Sequence, residues 1–85
     1  MNQFPQTEAR ELTYGEKACG VNFNPDGNQD VAKIKQAFAA IVDDLHQRRL
    51  AYGAVNERGR MLSIAITELQ TAQMWAVKAV TWSHE

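Results

Sequence analysis

The sequence predicts an all-α protein: an antiparallel helical hairpin with a short N-terminal arm, assembled into a homo-oligomer. Two long segments repeat apolar residues at intervals of three and four, which indicates helices. The connection between them is short, so the two helices should fold back on each other. No segment alternates with a period of two, so strands are not expected. Within this single domain, we assign residues 1–27 to the arm and a ligand loop, and residues 28–85 to the hairpin.

The arm contains one local helix signal. Thr13 and Glu16 have the spacing of a capping box, in which a hydroxyl and a carboxylate each accept a hydrogen bond from a free backbone N–H. We predict a short helix that begins there and stops at Gly20. The alternative, that both are ordinary surface residues, stays open. The loop over 22–28 contains Asn-Pro and Asp-Gly, which are typical of turns.

The first long helix is predicted over about residues 28–52. Asn28 is a suitable N-cap, and Gly53 stands where a glycine commonly ends a helix. Asp43 and Asp44 are expected on the solvated side, and neighbours about 100° apart on a helix are poorly placed to share a site. The apolar stripe consists of Val31, Ile34, Phe38, Ile41, Val42 and Leu45.

The second helix, over about residues 57–82, is apolar around most of its circumference, and Gly59 should weaken its first turn. One partner helix cannot cover so much apolar surface, and a contiguous exposed patch usually marks an interface. A chain of 85 residues is marginally stable alone, and Cys19, its only cysteine, cannot form an internal disulfide. These observations favour oligomerisation.

Composition excludes several functions. The net charge of −1 disfavours a binder of duplex nucleic acid. The absence of a long apolar run or a basic leader predicts an intracellular protein with no membrane partner. His46 and His84 are far apart, so we expect no metal and no cofactor. No nucleophile has a histidine at a suitable spacing and no glycine-rich phosphate loop is present, so we predict that the protein is not an enzyme.

Aromatic and amide groups around the loop suit a flat ligand. Tyr14 and Phe23 could stack on bases, although Phe23 could equally cover the core of the hairpin. Asn22 and Asn24 could bind base edges or cap the turn, which is the commoner role of asparagine.

Two pairs of cations lie near predicted helix starts. Lys33 and Lys35 follow the first turn of the first long helix, where free N–H groups attract anions; the alternative is that both are solvated. Arg58 and Arg60 begin the second helix, where positive charge opposes the helix dipole. A phosphate or carboxylate partner would compensate that charge, and two exposed arginines are the alternative.

Several stretches together carry a resemblance to a known family. They are Tyr14-Gly15-Glu16-Lys17, Gly20-Val21-x-Phe23-Asn24-Pro25, Val31-x-x-Ile34-Lys35, and Thr67-Glu68-x-x-x-Ala72-x-Met74-Trp75-Ala76-Val77-Lys78-Ala79. From about Arg10 to Thr81, the chain resembles the small phage anti-CBASS cyclic-nucleotide sponges, whose helical hairpin domain is shared with the anti-Thoeris sponges.

The resemblance implies a protein that sequesters cyclic oligonucleotide second messengers without cleaving them, in the cytoplasm of the infected bacterial host. Similar proteins form hexamers that bind cyclic dinucleotides between neighbouring subunits, and some bind cyclic trinucleotides at a separate site. By this resemblance the dinucleotide pocket draws on Tyr14, Lys17, Asn22, Phe23, Asn24 and Lys35, with Lys33 as a further candidate. Arg58 and Arg60 are candidates for a trinucleotide site.

Two other functions remain open. A helical protein-interaction module that inhibits a host protein would explain the apolar second helix but would leave the loop cations without a role. A cyclic-nucleotide phosphodiesterase would cleave the messenger instead of holding it.

Overall fold

The computed structural model describes residues 10–83, and these residues contain three helices and no strand. Helix α1 spans Tyr14–Ala18, α2 spans Gln29–Tyr52 and α3 spans Glu57–Val80. The end of α2 meets the start of α3, and the start of α2 faces the end of α3, so the two long helices form the expected antiparallel hairpin. Helix α1 packs on α2. Residues 1–9 of the proposed arm and 84–85 of the proposed hairpin lie outside the described residues.

Local capping groups confirm three of the predicted helix boundaries, namely the starts of α1 and α2 and the end of α2, whereas α1 ends at Ala18 and not at Gly20. The Thr13 hydroxyl accepts from Glu16 N at 3.1 Å, and the Glu16 carboxylate accepts from Thr13 N at 2.9 Å, which completes the capping box. Asn28 Oδ1 accepts from Val31 N at 3.0 Å. Gly53 ends α2 with φ = 99°, a conformation that favours glycine.

Helix α3 ends slightly earlier than predicted, at Val80 instead of about Trp82. The Thr81 backbone N–H still donates to Val77 O at 3.1 Å, and the Thr81 hydroxyl donates to the same carbonyl at 2.8 Å. These two bonds close the last turn, and the chain leaves the helix at this residue.

The core is small and lies where α1, α2 and α3 meet. Its buried members are Cys19, Ala39, Val42 and Ile66, surrounded by Ala18, Val21, Phe38, Leu45 and Leu69. The predicted stripe on α2 was partly wrong. Lys35 is buried, whereas Ile41 is 48% exposed, because α1 and its following loop cover a different side of α2 from the one that the apolar residues indicate.

Gly59 allows a close contact at the start of α3 that the sequence did not predict. A Cβ at this position would collide with the carbonyl oxygens of Gly53 and Ala54. The glycine therefore lets the connection between α2 and α3 lie directly against the first turn of α3.

Helix α3 leaves much apolar surface exposed, as its sequence predicts. Large side chains that face solvent include Met61, Ile64, Met74 and Trp75 on the helix, and Trp82 just after its end. None of the helices within residues 10–83 is long and apolar enough to cross a membrane.

Candidate ligand-binding site

The loop between α1 and α2 is closed by its own asparagines. The Asn24 amide donates to Asn28 O at 2.9 Å and accepts from Asn28 N at 3.1 Å. Gly27 N donates to Asn24 O at 3.0 Å, and Gly27 has φ = 63°. Of the two roles that sequence left open for Asn24, the structure shows the one that holds the loop.

Lys35 fastens the same loop to α2 from inside. Its ammonium donates to Gly20 O at 3.0 Å and to Phe23 O, and the residue is only 6% exposed. An ammonium has three N–H groups, and no acceptor among the described residues takes the third. The alternative that Lys35 is solvated is therefore wrong.

A cavity of about 200 Å³ lies beside this loop, between the start of α2 and the end of α3. Phe23 borders it with a ring that is 71% exposed, and Lys35 Nζ lies 5.3 Å from the centre of that ring. The alternative that Phe23 covers the core is wrong, since the ring faces solvent. The cavity is lined by Phe23, Asn24, Pro25, Asp26, Asn28, Val31, Lys35, Val77 and Thr81.

Val77 and Thr81 were not identified as site residues from the sequence. The antiparallel topology of the hairpin could have predicted their position. Because α2 and α3 have 24 residues each and a short connection, the end of α3 must lie beside the start of α2.

Tyr14 belongs to a second cluster. Its ring stacks on the His46 ring with the centres 4.1 Å apart and the planes 11° apart. The Arg49 guanidinium lies 5.5 Å from the centre of the Tyr14 ring and donates to His46 Nδ1 at 3.0 Å and to Ser63 Oγ at 2.8 Å. Sequence reasoning missed His46 and Arg49 as neighbours of Tyr14, because only the docking of α1 on α2 brings them together.

The two clusters lie well apart in one chain. Lys35 and His46 are eleven positions apart on α2, which corresponds to about 16 Å along a helix. Of the residues assigned to one dinucleotide pocket, Phe23, Asn24 and Lys35 therefore line the loop cavity and Tyr14 lies in the cluster near His46, whereas Lys17 and Asn22 belong to neither group.

Asp43 explains how α1 is fixed on α2. Its carboxylate accepts a hydrogen bond from Gly15 N at 2.6 Å. The expectation that Asp43 lies on the solvated side is therefore wrong, because α1 covers it. Asp44 is exposed, as expected, and pairs with Arg48 at 3.0 Å.

The other predicted cations are spread over the hairpin. Lys17 and Lys33 are exposed, and neither side chain forms a hydrogen bond or an ion pair with residues 10–83. The side chain of Asn22 is also exposed and forms no hydrogen bond with these residues. The Arg58 guanidinium lies 4.8 Å from the Tyr52 ring centre. Arg60 pairs with Glu57 at 2.7 Å. Both arginines lie at the opposite end of the hairpin from the loop cavity.

Two ionisable groups in and near the loop have shifted pKa values. The hydrogen bonds from Arg10, together with the one from Thr13 N, lower the pKa of Glu16 to about 2. Burial raises the pKa of the Cys19 thiol, with a smaller contribution from Asp43. A buried thiol with a raised pKa is a poor nucleophile. No group of three metal-ligating side chains occurs within the described part of the chain.

The fold defines a class: a small all-helical protein built on an antiparallel hairpin, with a cavity beside its loop. The family model of the Acb2/Tad1 hairpin domain matches residues 16–81. The chain therefore belongs to the Acb2/Tad1 hairpin family, the anti-CBASS and anti-Thoeris sponges. Members of this family are binding proteins of the sponge type rather than enzymes.

The matched range contains the loop cavity, His46 and Arg49, and begins two residues after Tyr14. Searches of curated proteins and of solved structures found no match.

Proposed function

We propose that this protein is a phage anti-defence sponge that binds and sequesters cyclic oligonucleotide second messengers without cleaving them, and so blocks CBASS immunity. Its ligands are cyclic dinucleotides such as 3′,3′-cGAMP, with cyclic trinucleotides at a second site, and it acts in the cytoplasm of the infected bacterium. The observation that carries the proposal is the loop cavity, where an exposed aromatic ring stands beside a buried ammonium.

The cavity offers the two contacts that a cyclic dinucleotide needs. Phe23 presents a ring for a base, and stacking on an aromatic residue contributes about 1–3 kcal/mol per base. The third N–H of Lys35, which no acceptor among residues 10–83 takes, can donate to a phosphate oxygen. The backbone of the loop is already ordered by Asn24, which reduces the entropic cost of binding.

The Tyr14 cluster enters the same pocket if the pocket forms between subunits. A separation of about 16 Å along α2 is too large for one small ligand to contact both Tyr14 and Lys35 of one chain. In a homo-oligomer, Tyr14 of one subunit can lie against the loop cavity of its neighbour. We therefore place each ligand between two subunits.

The exposed face of α3 supports self-association, which we propose leads to a hexamer. Trp75 and Trp82 are mostly exposed, and the Lys78 ammonium lies 5.5 and 5.9 Å from their ring centres. Aromatic residues of this kind are common hot spots in protein interfaces. Light scattering of the purified protein would measure the number of subunits.

A calorimetric titration tests the proposal. Wild-type protein is titrated with 3′,3′-cGAMP and compared with Phe23→Ala and with Val55→Ala, a control in which the replaced side chain is fully exposed on the distant α2–α3 connection. Loss of one stacked base should weaken binding roughly 5- to 140-fold in Phe23→Ala. The Val55 variant should bind like the wild type.

Chromatography of the ligand recovered after denaturation completes the test. Intact ligand supports sequestration, and cleaved ligand would establish a phosphodiesterase instead. Arg58→Ala, measured against a cyclic trinucleotide, tests the second site: it should lose trinucleotide binding and keep dinucleotide binding.

The exposed face of α3 would also suit a module that inhibits a host protein. That function predicts no binding of any cyclic nucleotide and full anti-defence activity of Phe23→Ala. The sponge function predicts that the wild type binds a cyclic nucleotide and that Phe23→Ala loses anti-defence activity.

A further inference from the structure

We propose that His46 and Arg49 are positioning residues that hold the ring of Tyr14 as a stacking surface for a base of the ligand. The inference rests on the proposed function, because it concerns how the same ligand is bound. It adds two residues from the second half of α2 to the proposed site.

Tyr14 needs an external support because α1 has only five residues. A helix of one turn is unstable by itself, so it cannot fix the ring of its own first residue. The His46 ring supplies that support, since it lies parallel to the Tyr14 ring at 4.1 Å. Tyr14 remains 42% exposed, so a ligand can still reach the residue.

Arg49 fixes the orientation of His46. A guanidinium can only donate hydrogen bonds, so His46 Nδ1, at 3.0 Å from Arg49 Nη2, must be the acceptor. This bond requires a neutral imidazole that carries its proton on Nε2. Arg49 is held in turn by Ser63 of α3 at 2.8 Å and also lies over the Tyr14 ring.

A further contact fixes the backbone of α1 beside Tyr14. Asp43, one helical turn before His46, accepts from Gly15 N and so fixes the backbone next to Tyr14. The rings are therefore held by contacts from α1, α2 and α3 before any ligand arrives. A base that stacks on Tyr14 would extend an existing His46–Tyr14 stack, at little cost in ordering.

A double-mutant cycle tests the inference with 3′,3′-cGAMP as the probe. The proteins are wild type, His46→Leu, Tyr14→Ala and the double variant, and each is titrated with ligand and melted without it. His46→Leu should weaken binding roughly tenfold, and the double variant should bind no more weakly than Tyr14→Ala alone. His46→Phe retains a flat ring and should restore affinity to within about threefold of wild type.

The melting curves separate positioning from folding. If His46→Leu unfolds, Arg49→Lys replaces it in the cycle, because it keeps the charge and removes the planar guanidinium that orients His46. The inference is wrong if the effects on affinity at positions 14 and 46 simply add, or if His46→Leu binds like wild type while Tyr14→Ala does not. If the wild type binds no cyclic nucleotide, the proposed function itself fails and the inference falls with it.

Discussion

Replacing Lys35 by methionine keeps most of the length of the side chain and removes the ammonium that fastens the ligand loop. The residue is 6% exposed, and its Nζ donates to Gly20 O and Phe23 O. In Lys35→Met, Phe23 O loses its donor, and Gly20 O keeps only the bond from Phe23 N at 2.9 Å. The loop must then open towards water or keep Phe23 O without a donor among residues 10–83.

The expected loss follows from these two bonds. A hydrogen bond to a charged group contributes about 1.5–3 kcal/mol, and removing the burial of an ammonium offsets part of that loss. We expect a net decrease of about 2 kcal/mol in the free energy of unfolding. For a domain of this size, such a decrease lowers the melting temperature by roughly 8–16 °C.

The assay is a thermal melt without ligand at one fixed protein concentration, since self-association would otherwise change the melting temperature. Lys33→Met is the matched control: it removes the same charge two positions earlier from an exposed side chain, and should change stability by less than about 0.5 kcal/mol. Equal melting temperatures for the two variants would refute the conclusion that Lys35 holds the loop.

Three further predictions concern the packing of the arm and the core. Gly15→Ala should destabilise the fold by about 2 kcal/mol or more in a urea titration, because the new Cβ would collide with Ala39 O. The pKa of Glu16 is lowered to about 2, chiefly by Arg10. The ionised carboxylate therefore contributes stability that is present above pH 4.5 and is lost as the pH falls from 4.5 towards 2. A series of melts over this range should show the loss in wild type and not in Glu16→Gln. Gln73 is 6% exposed and its side chain has no hydrogen-bond partner among residues 10–83, so Gln73→Leu should raise stability by about 1 kcal/mol in the same urea titration.

One result would contradict each of these three predictions. A Gly15→Ala protein as stable as wild type would mean that α1 is not docked closely on α2. Parallel pH curves for wild type and Glu16→Gln would mean that the carboxylate is not held by Arg10. A destabilised Gln73→Leu protein would show that the buried amide has a partner in the assembled protein.

Local signals in the sequence were enough to predict the helices and several of their ends. Thr13 with Glu16, Asn28, and Gly53 each act within four residues of the chain, through caps that the structure confirms. Helical periodicity likewise predicted α2 and α3 and the large exposed apolar surface of α3.

Contacts between helices could not be predicted in the same way. The roles of Asp43 and His46 depend on α1 lying across α2, and Lys35 is buried because the loop folds back over it. Periodicity describes which side of a helix is apolar, but a short arm can cover a different side. Gly59 is a second example, because the lack of a side chain lets it contact Gly53 and Ala54, and helix propensity does not describe that contact.

Three residues that were predicted to share a ligand site lie around one cavity: Phe23, Asn24 and Lys35. Tyr14 lies in a separate cluster, and Arg58 lies at the far end of the hairpin. Under the proposed function, Tyr14 of one subunit would meet the loop cavity of a second subunit, and Arg58 would belong to the separate trinucleotide site.

The most direct test of the central claim is a thermal melt of the wild-type protein with and without 3′,3′-cGAMP, with a linear dinucleotide as the control. Ligand at a hundred times its dissociation constant should stabilise the native state by about 2.7 kcal/mol per site. We expect a clear rise in melting temperature with the cyclic ligand and none with the linear one. No shift with any of a panel of cyclic dinucleotides and trinucleotides would contradict the sponge function.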